Sequence, residues 1–587
     1  MNEKLKGILH TGWTEPRHFF FWLALFSAAG LSVSATRIMA LKQPNLPMGL
    51  FTLICGLCLL TSLTAFALAW LPPLRRPLSL LLGKRFLVLG CVVTLIALFY
   101  AIEDWRGRSA WQHFKRAGEA QGERFDLASL APAPVPDDQN FFEAPLWNFL
   151  HFTQTPHGVV WSDTNWGDHV VFDAFGPHGN NSPRPGNWTK AQPADLGAWQ
   201  AFYRGTNNLF RVTDGSVTNY FPVAAQPQSP AADVLLALSR FDATRQLLIA
   251  AAARPKARFW INYDAGPAMM LPHLARMKAS VQYLALHADA ALRAGDKETA
   301  LEDLKLMFRL IDSIRGEPIL ISHLVRIAGC TIGLEPLWEG LADRQWRETD
   351  LRSLESELAK LDFLADYHLA LEGEQGCNLW ELDYVRKNGL EGMDQVFGQS
   401  HEGADLGFAL FRLIPGGWFD QNKLSVCRTY RDFILPEADT ERRVISPSLV
   451  RRCVAAQEAM SLGPYDVFAK RYLPADANAL RRFAWAQAAV DQARVACALE
   501  QYRLANGQFP ATLEELAPQF ISKLPNDVIN GQPLKYRRTE DGQFVLYSVG
   551  WNETDDGGKI GLTKNGYLDQ NQGDWVWHYP AKTGSKG

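Results

Sequence analysis

The chain has 587 residues, too many for one hydrophobic core, so several domains are expected. Hydrophobic residues at 47% and charged residues at 21% argue for an ordered chain, and 59 basic against 62 acidic residues give no basic excess for nucleic acid. Eight cysteines, three in N-terminal apolar runs and five widely scattered, spell neither a disulfide framework nor a zinc site.

Residues 1–105 read as a membrane domain with three spans, 19–40, 47–71 and 82–102. A bilayer core about 30 Å thick takes ~20 helical residues. The middle span sits in a stretch without charge from Gln43 to Leu74, and the third, uncharged from Phe86 to Ile102, is the shortest. Small residues near Ser32–Ala35 would also suit a signal peptide in the first, but two further spans favour an uncleaved anchor. Cys55-Gly-Leu-Cys58 lies in the apolar middle span and suits helix packing rather than redox chemistry. Lys4, Lys6 and Arg17 precede the first span, and Arg75, Arg76, Lys84 and Arg85 separate the second from the third. The first loop has only Arg37 and Lys42, so the N-terminus and second loop are expected inside and everything after Glu103 outside. Arg106, Arg108, Lys115 and Arg116 oppose this orientation, and failure of the third span to insert would reverse it. The location implied is a membrane, multi-pass, with a large extracytoplasmic C-terminal part.

Residues 106–136 read as a juxtamembrane helix followed by the stiff linker Ala131-Pro-Ala-Pro-Val-Pro136. Residues 137–230 are rich in Trp and Gly, with short strands at Val159–Trp161 and His169–Phe175. His151, His157, His169 and His178 stand there among Asp163, Asp168 and Asp173. Their spacings match no ligand set, so ordinary surface or core histidines account for them better than a metal site. Trp161, Trp166, Trp188 and Trp199 are candidates for sugar stacking, against the commoner role of core or interface tryptophans.

Residues 231–475 read as a helical domain. Val281, Leu284, Ala285, Ala288 and Leu292 recur at helical spacing, Gly295-Asp296 interrupts, and Ala300, Leu301, Leu304, Phe308 and Ile311 resume. Leu324 with Ile327, then Leu351, Leu354, Leu358 and Leu361, add further helices. The stretch from Ala290 to Leu301 resembles the turn of a tetratricopeptide unit, but no 34-residue period follows, and an ordinary helical domain is the better account. Asp362, Asp366, His368, Glu372 and Glu374 cluster near a helix end, with His368 and Glu372 on one face. An acid–base pair would look like this; a solvated face is the better reading. Seven glycines between Gly389 and Gly417 suggest a long loop or lid, and helix returns at Val450–Met460.

Residues 477–580 read as a C-terminal α+β domain. A helix from about Ala477 to Ala505 is closed by Asn506-Gly507, and Pro510 blocks its resumption. Thr512-Leu-Glu-Glu515 is a capping box, and Leu534–Arg538 and Phe544–Val549 form a hairpin through Glu540-Asp541-Gly542. Residues 484–577 resemble the globular domain of type II secretion major pseudopilins. The matching words are Ala498-Leu-Glu-Gln-Tyr-Arg-Leu-Ala-Asn-Gly-Gln-Phe-Pro510, Leu524-Pro-Asn-Asp527, Asn530-Gly-Gln-Pro-Leu-Lys-Tyr536, Tyr547-Ser-Val-Gly550, Asp555-Asp-Gly-Gly558 and Gly573-Asp574. The resemblance implies a long helix on a small antiparallel sheet and a calcium site formed by Ser548, Asn552, Asp555, Asp556 and Asp574. Lys559–Asn571 lengthens the loop before Asp574. Gly49-Leu-Phe-Thr-Leu-Ile54 partly echoes the family's membrane helix, but Cys55 replaces its glutamate, so polymerisation as a pilus subunit is not expected. Pro136-Asp-Asp-Gln-Asn-Phe141 and Ser229-Pro-Ala-Ala-Asp-Val-Leu235 resemble bacterial membrane proteins, a likeness that implies no activity.

The fold class expected is therefore multi-domain: N-terminal transmembrane α-helices, a mainly α-helical central domain and a C-terminal pseudopilin-like α+β domain. The function expected is binding or scaffolding in the envelope, linked to a secretion or pilus-like system, with the lipid bilayer and envelope proteins as partners. The alternative is an extracytoplasmic hydrolase with its site in 137–230 or near His368.

Overall fold

The helical periodicity between residues 231 and 361 is realised as a set of packed helices. The computed structural model describes residues 84–155, 158–161, 183–211, 216–397, 414–458 and 463–580, with isolated positions between 21 and 67. The expected spans 19–40 and 47–71 lie outside the described residues apart from those positions. So do His157, His169, His178, Asp163, Asp168, Asp173 and Trp166.

In chain order, α1 (Lys84–Glu119) precedes the antiparallel pair β1 (Phe152–Thr155) and β2 (Gly158–Trp161), then α2 (Leu196–Arg204) and the pair β3 (Leu209–Arg211) and β4 (Val217–Asn219). Helices α3 (Pro230–Leu238), α4 (Asp242–Ala252), α5 (Pro272–Ala294), α6 (Lys297–Ser313), α7 (Leu320–Ala342), α8 (Glu348–Leu358) and α9 (Phe363–Phe397) follow. After α10 (Gly416–Thr429) come β5 (Ala438–Asp439), β6 (Val444–Ile445), α11 (Pro447–Glu458) and the long α12 (Val467–Asn506). The chain then runs through β7 (Lys535–Arg538), β8 (Phe544–Ser548), β9 (Ile560–Leu562), β10 (Leu568–Gly573) and β11 (Trp575–Trp577). The protein is mainly helical, with small antiparallel sheets at its C-terminal end.

Among the described residues, one compact unit takes those up to Phe125 with 378–428 and 461–471, and the other takes 126–377, 429–460 and 472 onward. In the first unit, Trp111, Phe114 and Phe125 bury against Leu379, Leu424 and Cys427. Glu103 anchors the same unit by accepting from the Trp418 indole (3.0 Å) and the Tyr465 hydroxyl (2.9 Å). The third expected span and the juxtamembrane helix are one element, α1, because no proline separates Ile102 from Glu119.

In the second unit α5 packs against both α6 and α7. Pro272 opens α5, Gly295 closes it in the left-handed conformation, and Asp296 caps α6 by accepting from Thr299 N at 3.1 Å. Val281, Leu284, Ala288, Leu292, Leu304 and Phe308 are all buried, as their spacing requires. Among the residues whose side chains are described, which on α1 begin at Cys91, α7 is the one helix long and apolar enough to cross a membrane, and it is mostly buried inside this unit.

Two boundaries differ from expectation. The glycine-punctuated region is helical on both sides, as α9 and α10, and residues 398–413 lie outside the described residues. Gly389, at φ 62°, absorbs a kink within α9. Helix α12 begins ten residues earlier than read, through Pro474, because the flanking sequence continues a helical pattern.

The C-terminal reading is realised closely. Gly507, at φ 79°, ends α12, where a side chain at Cβ would be strained. Glu515 accepts from Thr512 N at 3.0 Å in the capping box. β7 and β8 pair as a hairpin, and β11 adds on the far side of β8 in the order β11–β8–β7. Helix α12 buries Ala488, Val495 and Leu499 and donates from Gln492 to the Trp575 carbonyl at 2.6 Å. The same unit ties Trp338 of α7 to the tail: its indole donates to the His578 carbonyl at 2.9 Å and its ring stacks on Tyr579.

Candidate functional site

The five residues implied as calcium ligands are brought near one loop but not into one cage. Lys559–Asn571 folds into the hairpin β9–β10, and Asp574 N donates to the Lys559 carbonyl at 2.8 Å at its base. The added length therefore returns Asp574 to the loop, where its carboxylate accepts from Asp556 N (3.2 Å) and Gly558 N (2.6 Å). Asn552 donates to Asp556 at 2.8 Å. Burial raises the Asp574 carboxyl, the two backbone donors oppose it, and the neighbouring Asp556 and Asp555 charges add to the rise. Ser548 instead donates to Asp527 at 2.8 Å, and Asp555 accepts from Tyr547 (3.0 Å) and faces Lys535 at 3.4 Å. Calcium thus fits in part: Asn552, Asp556 and Asp574 converge, while the side chains of Ser548 and Asp555 are committed elsewhere. Among the described residues, no three His, Cys, Asp or Glu side chains stand close enough to hold a metal ion together.

A second acidic site was not anticipated. A cavity of about 620 Å³ is bounded by the 185–189 segment, α2, α5, α7, α12 and β10. Asp289 of α5 and Glu335 of α7 line it, 3% and 5% exposed. Glu335 Oε2 accepts from Trp188 N at 2.6 Å, whereas its Oε1 and Asp289 Oδ1 are buried without a partner. Gly186 makes room, since a Cβ there would lie 2.2 Å from Glu335 Oε1. One turn further along α7, Glu339 accepts from Ala194 N (2.6 Å) and from Arg293 (3.0 Å). Burial pushes Glu335 up to about 9 against the Trp188 N–H, with Glu339 adding to the rise. Burial also lifts Asp289 well above the carboxylate range, helped by Glu339 and Glu335 and opposed by Arg293. The sequence did carry a signal: Asp289 interrupts the apolar run Ala285–Leu292, and Glu335 and Glu339 interrupt another at i, i+4 spacing.

Of the hydrolase candidates near His368, Asp362 and Asp366 are used structurally. Asp366 pairs with Arg326 (2.9 Å) and Arg315 (2.8 Å), Asp362 with Arg443, and His368 Nε2 is buried without a partner. Ser322, Glu317 and His273 form a hydrogen-bonded chain that resembles a triad in composition, but the carboxylate sits in the middle. A hydroxyl is activated when the imidazole is the central member, and Ser322 and His273 are both 0% exposed. Of the tryptophans considered for sugar stacking, Trp188 and Trp199 are 3% and 1% exposed and offer no open ring face, and Trp161 packs on Phe152. His151 stands 3.9 Å from Glu143. Comparisons with protein-family models, curated proteins and solved structures return nothing that matches the chain.

Proposed function

We propose that the chain is a membrane-anchored bacterial envelope protein whose body acts as a binding or scaffolding module, linked to a type II secretion-like or pilus-like system. One observation carries the membrane part. On α1, Val92, Leu95, Ile96, Phe99 and Ile102 are 45–66% exposed in a stretch without charge. An apolar face of that extent is costly in water and is satisfied by lipid. Phe21, Leu25, Leu60 and Leu63 are exposed as well. Trp105, 72% exposed, and Arg106 stand where the stretch ends, as residues at a membrane–water interface do.

The N-terminus then lies in the cytoplasm and everything after Glu103 outside the inner membrane. The link to secretion rests on the C-terminal words quoted above together with the long α12, the capping box and the β11–β8–β7 sheet. Calcium belongs to the same proposal, held by Asn552, Asp556 and Asp574, while the side chains of Ser548 and Asp555 keep their other partners. The hydrolase alternative has less in its favour, because Asp362 and Asp366 near His368 are engaged with arginines. Alkaline phosphatase fused after residue 110 should be active, and the full chain should stay with membranes through carbonate extraction. An inactive fusion or release by carbonate overturns the anchor and its orientation.

A further inference from the structure

The cavity between α5 and α7 stands apart from the membrane reading and has a chemistry of its own. Elsewhere in the same unit several buried carboxylates meet a cation or a set of donors, and Asp233 and Asp491, which each keep one oxygen unpartnered, still stand beside an arginine. Asp303 meets Arg245 (2.7 Å) and His287 (2.6 Å), Asp366 meets Arg326, and Asp527 accepts three donors. Asp289 and Glu335 differ in having no cation bonded to them, with Oδ1 and Oε1 left unpartnered. The nearest cation on α5, Arg293, is spent on Glu339 at 3.0 Å and Asp343 at 3.5 Å. Lys278 and Arg482 line the cavity but are exposed at its edge. Two buried carboxyl oxygens on residues that line the cavity are therefore left without a partner from the chain. Leaving them so costs roughly 1–3 kcal/mol each unless something else donates.

The walls decide what kind of donor fits. Leu286, Ile327, Ile332 and Leu568, with Trp188 and Trp485, make most of the surface apolar. A sugar would leave most of its hydroxyls unsatisfied against those side chains. An anion would meet carboxyl oxygens. A molecule with one cluster of N–H donors and an apolar body satisfies both the floor and the walls, and a space of this size admits a small organic ligand.

We propose that this cavity binds an organic ammonium ion with an apolar body, whose N–H groups donate to Asp289 Oδ1 and Glu335 Oε1. The two carboxyls are the counter-charge. The groups facing them are Lys278 and Arg293 on α5, Glu339 on α7, Asp343 beyond it and Arg482 on α12. Burial lifts both carboxyls, Glu335 to about 9, so an entering ammonium ion displaces a proton from Glu335 to solvent, and affinity rises as the pH approaches 9.

The test uses the full chain in lipid nanodiscs, titrated with phenethylammonium chloride and, as neutral isostere, phenethyl alcohol. Tryptophan emission reports occupancy, and calorimetry in buffers of different ionisation enthalpy reports the proton. The ammonium ion should bind saturably with proton release, and the alcohol at least about tenfold more weakly, the loss of one charge-assisted contact. Asp289→Asn with Glu335→Gln should lower ammonium affinity by a similar factor, with circular dichroism and melting checking that the variant is folded. Ala328→Trp, which fills the cavity and keeps both carboxyls, should abolish binding. Equal binding of the alcohol, unchanged affinity in either variant, or no saturable binding of the ammonium ion overturns the proposal.

Discussion

Asp527 and Asp289 are buried to nearly the same depth, 2% and 3% exposed, in the same compact unit, and their surroundings are opposite. Asp527 accepts from Ile529 N (3.0 Å), Val549 N (2.9 Å) and the Ser548 hydroxyl (2.8 Å), tying the turn before β7 to the end of β8. Asp289 faces a cavity, and its Oδ1 has no partner. A carboxylate whose acceptor positions are filled by the chain is part of the architecture. One left open, beside a second carboxyl in the same state, is a cost to the fold that a ligand can offset.

The sharpest way to break this contrast is to remove each carboxylate in turn. Asp527→Ala strands two backbone N–H groups and a hydroxyl inside the C-terminal sheet and should lower stability by about 3 kcal/mol or more. Asp289→Asn should leave stability unchanged or raise it at neutral pH, since it deletes a charge site that burial already disfavours. Urea unfolding followed by tryptophan emission measures both. If Asp289→Asn destabilised as much as Asp527→Ala, the cavity carboxyl would be structural.

A pH series sharpens the same contrast. Glu335 is raised from the ordinary carboxylate range to about 9 in the folded chain, so the folded state holds a proton that the unfolded state gives up. That contribution is complete below about pH 4.5 and is lost as pH climbs toward 9. Between pH 6 and 8.5 the loss from this group is on the order of 2–3 kcal/mol. Glu335→Gln, which keeps an acceptor for Trp188 N, should flatten that slope and be the more stable protein at pH 8.5. A slope unchanged by the substitution would show that Glu335 is not the group responsible.

The two regions also differ in how far they could be read beforehand. The C-terminal turns were legible because their determinants are local: Gly507 at a positive φ, Thr512 with Glu515, and the alternation that makes β7 and β8. The loop at Asp574 was half legible. The ligand types were visible, but β9–β10 folding back brings Asp574 to Asp556 from 18 residues away in sequence. The cavity was not legible, because Asp289, Glu335 and Trp188 come together only when α5, α7 and the segment before α2 pack. Their one local trace, acid residues inside apolar stripes, reads equally well as a solvated edge. The start of α12 and the helices flanking residues 398–413 were missed for a related reason: glycine and proline lower helix propensity, and tertiary context overrides it.

Calcium gives a smaller effect, on the satisfied side of the comparison. If the ion joins Asp556 and Asp574, calcium at about ten times its dissociation constant should stabilise the full chain by about 1.4 kcal/mol relative to chelator. Asp556→Asn should remove that gain while leaving the chelated protein near its original stability, because the side chain is only half-buried. Equal midpoints with calcium and with chelator would mean that hydrogen bonds alone hold the loop.

Asp555 is the far end of the series, with its side chain 44% exposed. Its carboxylate lies below the usual range, first through the Gly557 N–H and next through the Tyr547 hydroxyl, with Lys535 adding to the effect. The sign is opposite to that of Glu335: this contribution is present above the ordinary carboxylate pKa of about 4 and is lost as pH falls through the lower folded value. Exposure and salt screening keep it small, so in chelator at pH 7 Asp555→Asn should cost no more than about 0.5 kcal/mol, less at high salt. A cost above about 1 kcal/mol that salt leaves untouched would place Asp555 with Asp527 as a member of the architecture, and burial would no longer separate the two uses of a carboxylate in this chain.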